Sequence, residues 1–125
     1  MVRPALVLSF VILAACASSS GTQGPARQRN LITAAEIATI QTGSAYDVVQ
    51  SLRPEFLRAR GTSAGTGVQE FVVVYVDGVR AGDPNELRRV PREVLQEIRY
   101  LSGNDATTMY GTGHGGGAIL VVTKR

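Results

Sequence analysis

Apolar residues gather almost without a break from Ala5 to Ala15, become sparse over residues 16–30, and then return in short periodic groups. The first group opens on Thr33-Ala-Ala-Glu36, which has the spacing of a capping box, with Ile32 and Ile37 placed to staple across it. A short helix ending near Gly43 is predicted. Ser44-Ala-Tyr-Asp47 repeats the pattern, and Val48, Val49 and Leu52 share one face of a second helix that stops at Arg53, because Pro54 disfavours helical geometry there. Glu55 to Arg60 is expected to be a short extended piece, and Gly61 to Gly67, with three glycines, a mobile loop.

Phe71-Val-Val-Val-Tyr-Val76 is β-branched and aromatic at every position, the mark of a strand covered on both faces. Asp77-Gly78 then supplies a tight hairpin turn back through Val79 and Arg80. Pro84 to Arg89 can make a helical turn, and Pro91 suits the first position of a helix running through Val94, Leu95 and Ile98. Arg99 to Leu101 should pass into a strand, Asp105 to Tyr110 into a short turn or helix, and Ala118 to Thr123 into a second buried strand. The two most apolar runs are expected to pair in one sheet. The predicted class is α+β, a small mixed β-sheet with short flanking helices over residues 31–125.

The apolar run Ala5 to Ala15, with Arg3 before it, reads as a signal peptide over residues 1–15. As a helix it would rise only about 16 Å, against the ~30 Å of a bilayer's hydrocarbon core, so it is too short to span one stably. Leu13-Ala14-Ala15-Cys16 resembles the bacterial lipobox. That resemblance implies cleavage before Cys16, lipidation of its thiol and, with Ala17 rather than Asp next in the chain, a lipid-anchored place on the periplasmic face of the outer membrane. Residues 16–30, rich in Ser, Gly, Gln and Arg, then form a flexible tether.

The polypeptide beyond residue 15 is the size of one domain. Net charge is only +3, and the arginines are scattered apart from Arg88, Arg89 and Arg92, which read as a solvated face; no nucleic-acid partner is expected. One cysteine and one histidine exclude an intramolecular disulfide and leave too few ligands for a structural zinc site. No metal or cofactor is expected.

From Phe71 to Arg125 the chain resembles the plug domain of TonB-dependent outer-membrane receptors. The matching stretches are Tyr75-Val-Asp-Gly-Val79, Leu87-Arg-Arg-Val-Pro91, Ile98-Arg-Tyr-Leu-Ser-Gly103, Ala106, Tyr110-Gly111 and Gly116-Gly-Ala-Ile-Leu-Val-Val-Thr-Lys124. The resemblance implies a small mixed sheet flanked by short helices. It also has departures. The chain stops at the plug's last strand, with no barrel strands of its own. The family's IEVLRG run carries Arg99 in place of the acid and Ser102 in place of the arginine, and no TonB box is visible between Cys16 and Thr33. The implied function is a non-enzymatic plug-like binding or interaction module, accessory to a separate outer-membrane receptor or envelope protein, and not a transporter in its own right.

Two further readings rest on single motifs. Gly111-Thr-Gly113-His-Gly-Gly116 fits G-x-G-x-x-G, but a strand comes after it where the dinucleotide fold requires a helix. The structural reading is a backbone that needs positive φ and close approach. The functional alternative is a small-ligand or anion-binding loop formed by Gly111, Gly113, His114, Gly115 and Gly116, whose N–H groups would face the ligand. His114, expected to be exposed, would be the base of a third candidate, an enzyme, with Asp105 or Ser102 near it in sequence. Asp77 and Gly78 are assigned to the turn, and Tyr75, Tyr100 and Tyr110 to packing beside strands.

Overall fold

The computed structural model describes residues 29–58 and 70–125. The signal segment, Cys16, nearly all of the tether and the Gly61–Gly67 loop lie outside the described residues. The last two residues of the tether are tied to the domain: Tyr100 donates its amide to the Asn30 carbonyl at 2.8 Å, and Arg53 Nε donates to the Arg29 carbonyl at 3.2 Å.

Both predicted caps form. Thr33 opens helix α1 (Ala34–Ala38), its amide donating to Glu36 Oε2 at 2.9 Å while its hydroxyl accepts from the Glu36 amide at 3.3 Å. Ser44 opens α2 (Ala45–Leu52), its amide and hydroxyl both donating to Asp47 Oδ2, at 2.7 and 2.8 Å. These donors, the Ser44 amide first, hold the Asp47 carboxyl below its ordinary range. Helix α1 ends well before Gly43, because the Thr39 hydroxyl and amide both turn back onto the Glu36 carbonyl, at 2.6 and 3.1 Å. Helix α2 ends where Pro54 predicts.

Five strands form one mixed sheet, ordered β1-β4-β5-β2-β3. They are β1 (Leu31–Ile32), β2 (Val73–Val76), β3 (Val79–Gly82), β4 (Leu95–Leu101) and β5 (Ala118–Thr123). The two most apolar segments, β2 and β5, lie side by side and run parallel, with Val74 opposite Ile119 and Val76 opposite Val121. All other pairings are antiparallel. The α+β class and the mixed sheet are as the sequence predicts.

Alternation along β2 sends its side chains to opposite faces. Val72 and Val74 join Ile98, Tyr100, Ile119 and Val121 beneath α1, α2 and the turns after them, forming the larger core. Val73 and Tyr75 face the other way and pack with Ala118 and with Ala106 of α3 (Gly103–Tyr110). Coverage of both faces explains why β2 carries no polar position. Phe71, expected within this strand, precedes it and is 71% exposed.

Two predicted elements are corrected. The extended piece expected from Glu55 is a 3-10 turn, Pro54–Leu57. Pro54 supplies its fixed first position, and the turn carries Phe56 into the core, where its ring stacks on Tyr100 at 5.0 Å between centroids. The helix expected from Pro91 through Ile98 is a 3-10 turn, Arg92–Val94, leading directly into β4. Leu95 and Ile98 both enter the core although three residues apart, because a register shift between Leu95 and Glu97 resets the alternation. A bulged strand thus imitates helical spacing.

At the hairpin, Asp77 (φ +48°) and Gly78 (φ +83°) both take the left-handed conformation of a type I′ turn. The Asp77 carboxylate reaches across to β5. There it accepts from the Thr123 hydroxyl at 2.6 Å and the Thr123 amide at 2.9 Å, and these two donors hold its carboxyl below the ordinary range. The turn residues are therefore also a cross-strand clasp.

Candidate functional site

The glycine-rich segment lies between α3 and β5. Ser102 caps α3, its hydroxyl donating to Asp105 Oδ2 at 2.7 Å and accepting from the Asp105 amide at 3.2 Å. The helix ends on Gly111 at φ +91°, which the missing Cβ permits. The chain then loops through His114 and enters β5.

His114 is 3% exposed, not on the surface as a glycine-rich setting suggests. Its Nδ1 lies 2.9 Å from the Gly111 carbonyl and its Nε2 lies 2.8 Å from the Tyr75 hydroxyl. A carbonyl only accepts, so Nδ1 carries the proton and Nε2 accepts from Tyr75 in the neutral ring. Tyr75 in turn stacks on Tyr110 at 4.2 Å and 14°. The imidazole is buried beside the Tyr75 and Tyr110 rings, on the face of the sheet that α3 covers.

The glycines beyond His114 are set close against their neighbours. A Cβ on Gly116 would lie 2.3 Å from the Glu70 carbonyl oxygen and 2.7 Å from Phe71 backbone atoms, and one on Gly117 would lie 2.4 Å from the Tyr100 hydroxyl. Gly115 donates its amide to the Glu70 carboxylate, and its carbonyl sits where a Cβ on Gly103 would go. Tyr100 donates from its hydroxyl to the Gly116 carbonyl at 3.3 Å. The loop thereby joins the entry to β2, the end of β4 and the start of β5.

Of the residues singled out from sequence, the structure brings His114, Gly111, Tyr75 and Tyr110 together. Ser102 and Asp105 are bonded to each other at the cap, while the two His114 nitrogens are engaged by Gly111 and Tyr75. Among the described residues no group of three or more His, Cys, Asp or Glu side chains converges as metal ligands do. Glu70, the carboxylate partner of the loop, carries no local sequence signal: it lies 45 positions from Gly115. The arginine cluster disperses. Arg88 lies over the Tyr46 ring at 3.7 Å, Arg89 meets Glu86 at 3.2 Å, and Arg92 meets Glu93 at 3.7 Å.

Chemically, this arrangement uses both imidazole nitrogens in internal hydrogen bonds and turns the aromatic rings against one another. Tyr75→Phe keeps the stack but leaves His114 Nε2 without its donor in a buried setting. The variant should lose about 1–2 kcal/mol of stability in urea titration, whereas Tyr110→Phe should change it by less.

No protein family, no curated protein and no solved structure matches this chain.

Proposed function

We propose that this chain is a lipid-anchored outer-membrane protein whose α+β domain is a plug-like interaction module, held by Cys16 beside a separate receptor or envelope partner. The observation that carries the reading is where the plug-like stretches fall in the fold. Tyr75-Val-Asp-Gly-Val79 makes the β2–β3 hairpin, Ile98-Arg-Tyr-Leu-Ser-Gly103 runs from β4 into α3, and Gly116 to Lys124 carries the loop into β5. β4, β5 and β2 are the three central strands of the sheet. Segments scattered over some fifty positions of sequence thus form one contiguous assembly.

The mode of action is binding by a preformed domain. A lipid on Cys16 keeps the domain at the membrane surface, and the tether lets it reach a neighbour while raising its local concentration there. Metabolic palmitate labelling with membrane fractionation tests the anchor. Wild type should take up label and sediment with outer membrane; Cys16→Ser should lose both. Cross-linking of the labelled protein in intact cells should then recover a barrel or envelope protein repeatedly. An unlabelled mature product, or cross-links that recover no partner, would overturn the proposal.

A further inference from the structure

The β2–β3 turn holds the one place in the chain where Asp or Asn stands directly before glycine, Asp77-Gly78. Both residues are exposed. Gly78 has open space around the position a Cβ would take, so no side chain of its own or of a neighbour crowds the turn. Three features meet there: an exposed glycine without a side chain, a carboxyl on the residue before it, and a neighbour that engages both oxygens of that carboxyl.

We propose that Asp77-Gly78 is a site of spontaneous aspartate isomerisation, and that Thr123 is the residue that restrains it. In the reaction the Gly78 nitrogen gives up its proton and attacks Asp77 Cγ. A carbon–nitrogen bond forms, one carboxyl oxygen departs as water, and a five-membered succinimide results. Water then adds to either ring carbonyl. Addition at the Asp77 main-chain carbonyl carbon breaks its bond to the Gly78 nitrogen, which stays on Cγ, so the main chain runs through Cβ as isoaspartate with a free α-carboxyl. One water leaves and one returns, so the product is an isomer and no oxidant or reductant takes part.

Thr123 opposes both requirements of the attack. Its hydroxyl at 2.6 Å and amide at 2.9 Å hold the two carboxylate oxygens on β5, so the carboxyl must leave both bonds before it can turn to the Gly78 nitrogen. Hydrogen bonds to the ionised form also favour the carboxylate over the acid, and the carboxylate is the poorer electrophile. Once isomerised, the turn has an extra main-chain carbon and a displaced carboxyl. The clasp to Thr123 is then lost, and the register of Val76 with Val79 with it. The edge strand β3 is the element exposed to this change.

The test incubates purified full chain in neutral buffer, folded and in guanidinium chloride, and follows isoaspartate at position 77 by liquid chromatography and electron-transfer fragmentation of the digested peptide. Folded wild type should isomerise at least about tenfold more slowly than unfolded chain, the factor expected from one charge-assisted hydrogen bond. Thr123→Val, checked for folding by its thermal melt, should recover several-fold of that rate, while Thr123→Ser, which keeps the hydroxyl, should stay at the wild-type rate. Should Thr123→Val not fold, Thr123→Ala takes its place. Equal rates in folded and unfolded wild type, or a folded hydroxyl-deleted variant as slow as wild type, would overturn the proposal.

Discussion

Gly116→Ala should cost about 3 kcal/mol, or prevent folding altogether, a value at the upper end for forcing one carbon into a filled interior. The atoms that the new methyl would meet are main-chain atoms, the Glu70 carbonyl oxygen at 2.3 Å and Phe71 at 2.7 Å, so no rotamer change relieves the clash. Only a shift of the strand entry or of the loop could. Gly113→Ala is the matched control. Gly113 has φ +89° but open space around it, so alanine there should cost only about 1–2 kcal/mol of left-handed strain. Urea titration of both variants reads the difference directly. Equal losses would mean that the close approach at Gly116 is not what holds the loop.

Phe56→Ala should remove about 4 kcal/mol, within the range for deleting a buried ring. Phe56 is 2% exposed, and its ring stacks on Tyr100, which also reaches the Gly116 carbonyl. Truncation leaves a void under β4 and frees Tyr100 to reorient. The loss should therefore appear in two readouts: the unfolding midpoint, and faster amide exchange at Gly117, which lies against the Tyr100 hydroxyl. Phe56→Leu, which refills part of the volume, should restore much of the midpoint.

The features legible in the sequence were mostly those that local chemistry decides. The caps at Thr33 and Ser44 need only a hydroxyl and a carboxylate three residues on, and the Asp77-Gly78 turn needs only two residues that tolerate positive φ. The runs at β2 and β5 were legible because continuous β-branched apolar residues suit a strand covered on both faces. The segment after Pro91 misled because spacing alone cannot separate a helix from a strand whose bulge puts Leu95 and Ile98 on one face. Phe56 misled for a related reason, since a single turn is too short to show any period.

The candidate site was legible in its residue types and not in its interior. The run of glycines announced a backbone that bends sharply or passes close to something, and both occur. It gave no hint that Tyr75, 39 positions away, would take His114 out of solvent. Nor could it indicate the Glu70 carboxylate on Gly115, because pairing across such separations is set by strand order, which is a property of the whole sheet.

Among the described residues, strand β5 is translated after the four strands it assembles with, and yet it lies at the middle of the sheet. Until it is made, β4 with β1 and β2 with β3 are two separate ladders that share no hydrogen bonds. Assembly must therefore wait for contacts between distant parts of the polypeptide, which slows it. If the chain is exported as proposed, that delay is useful: the passenger stays loose during transit and acquires its shape only on the far side.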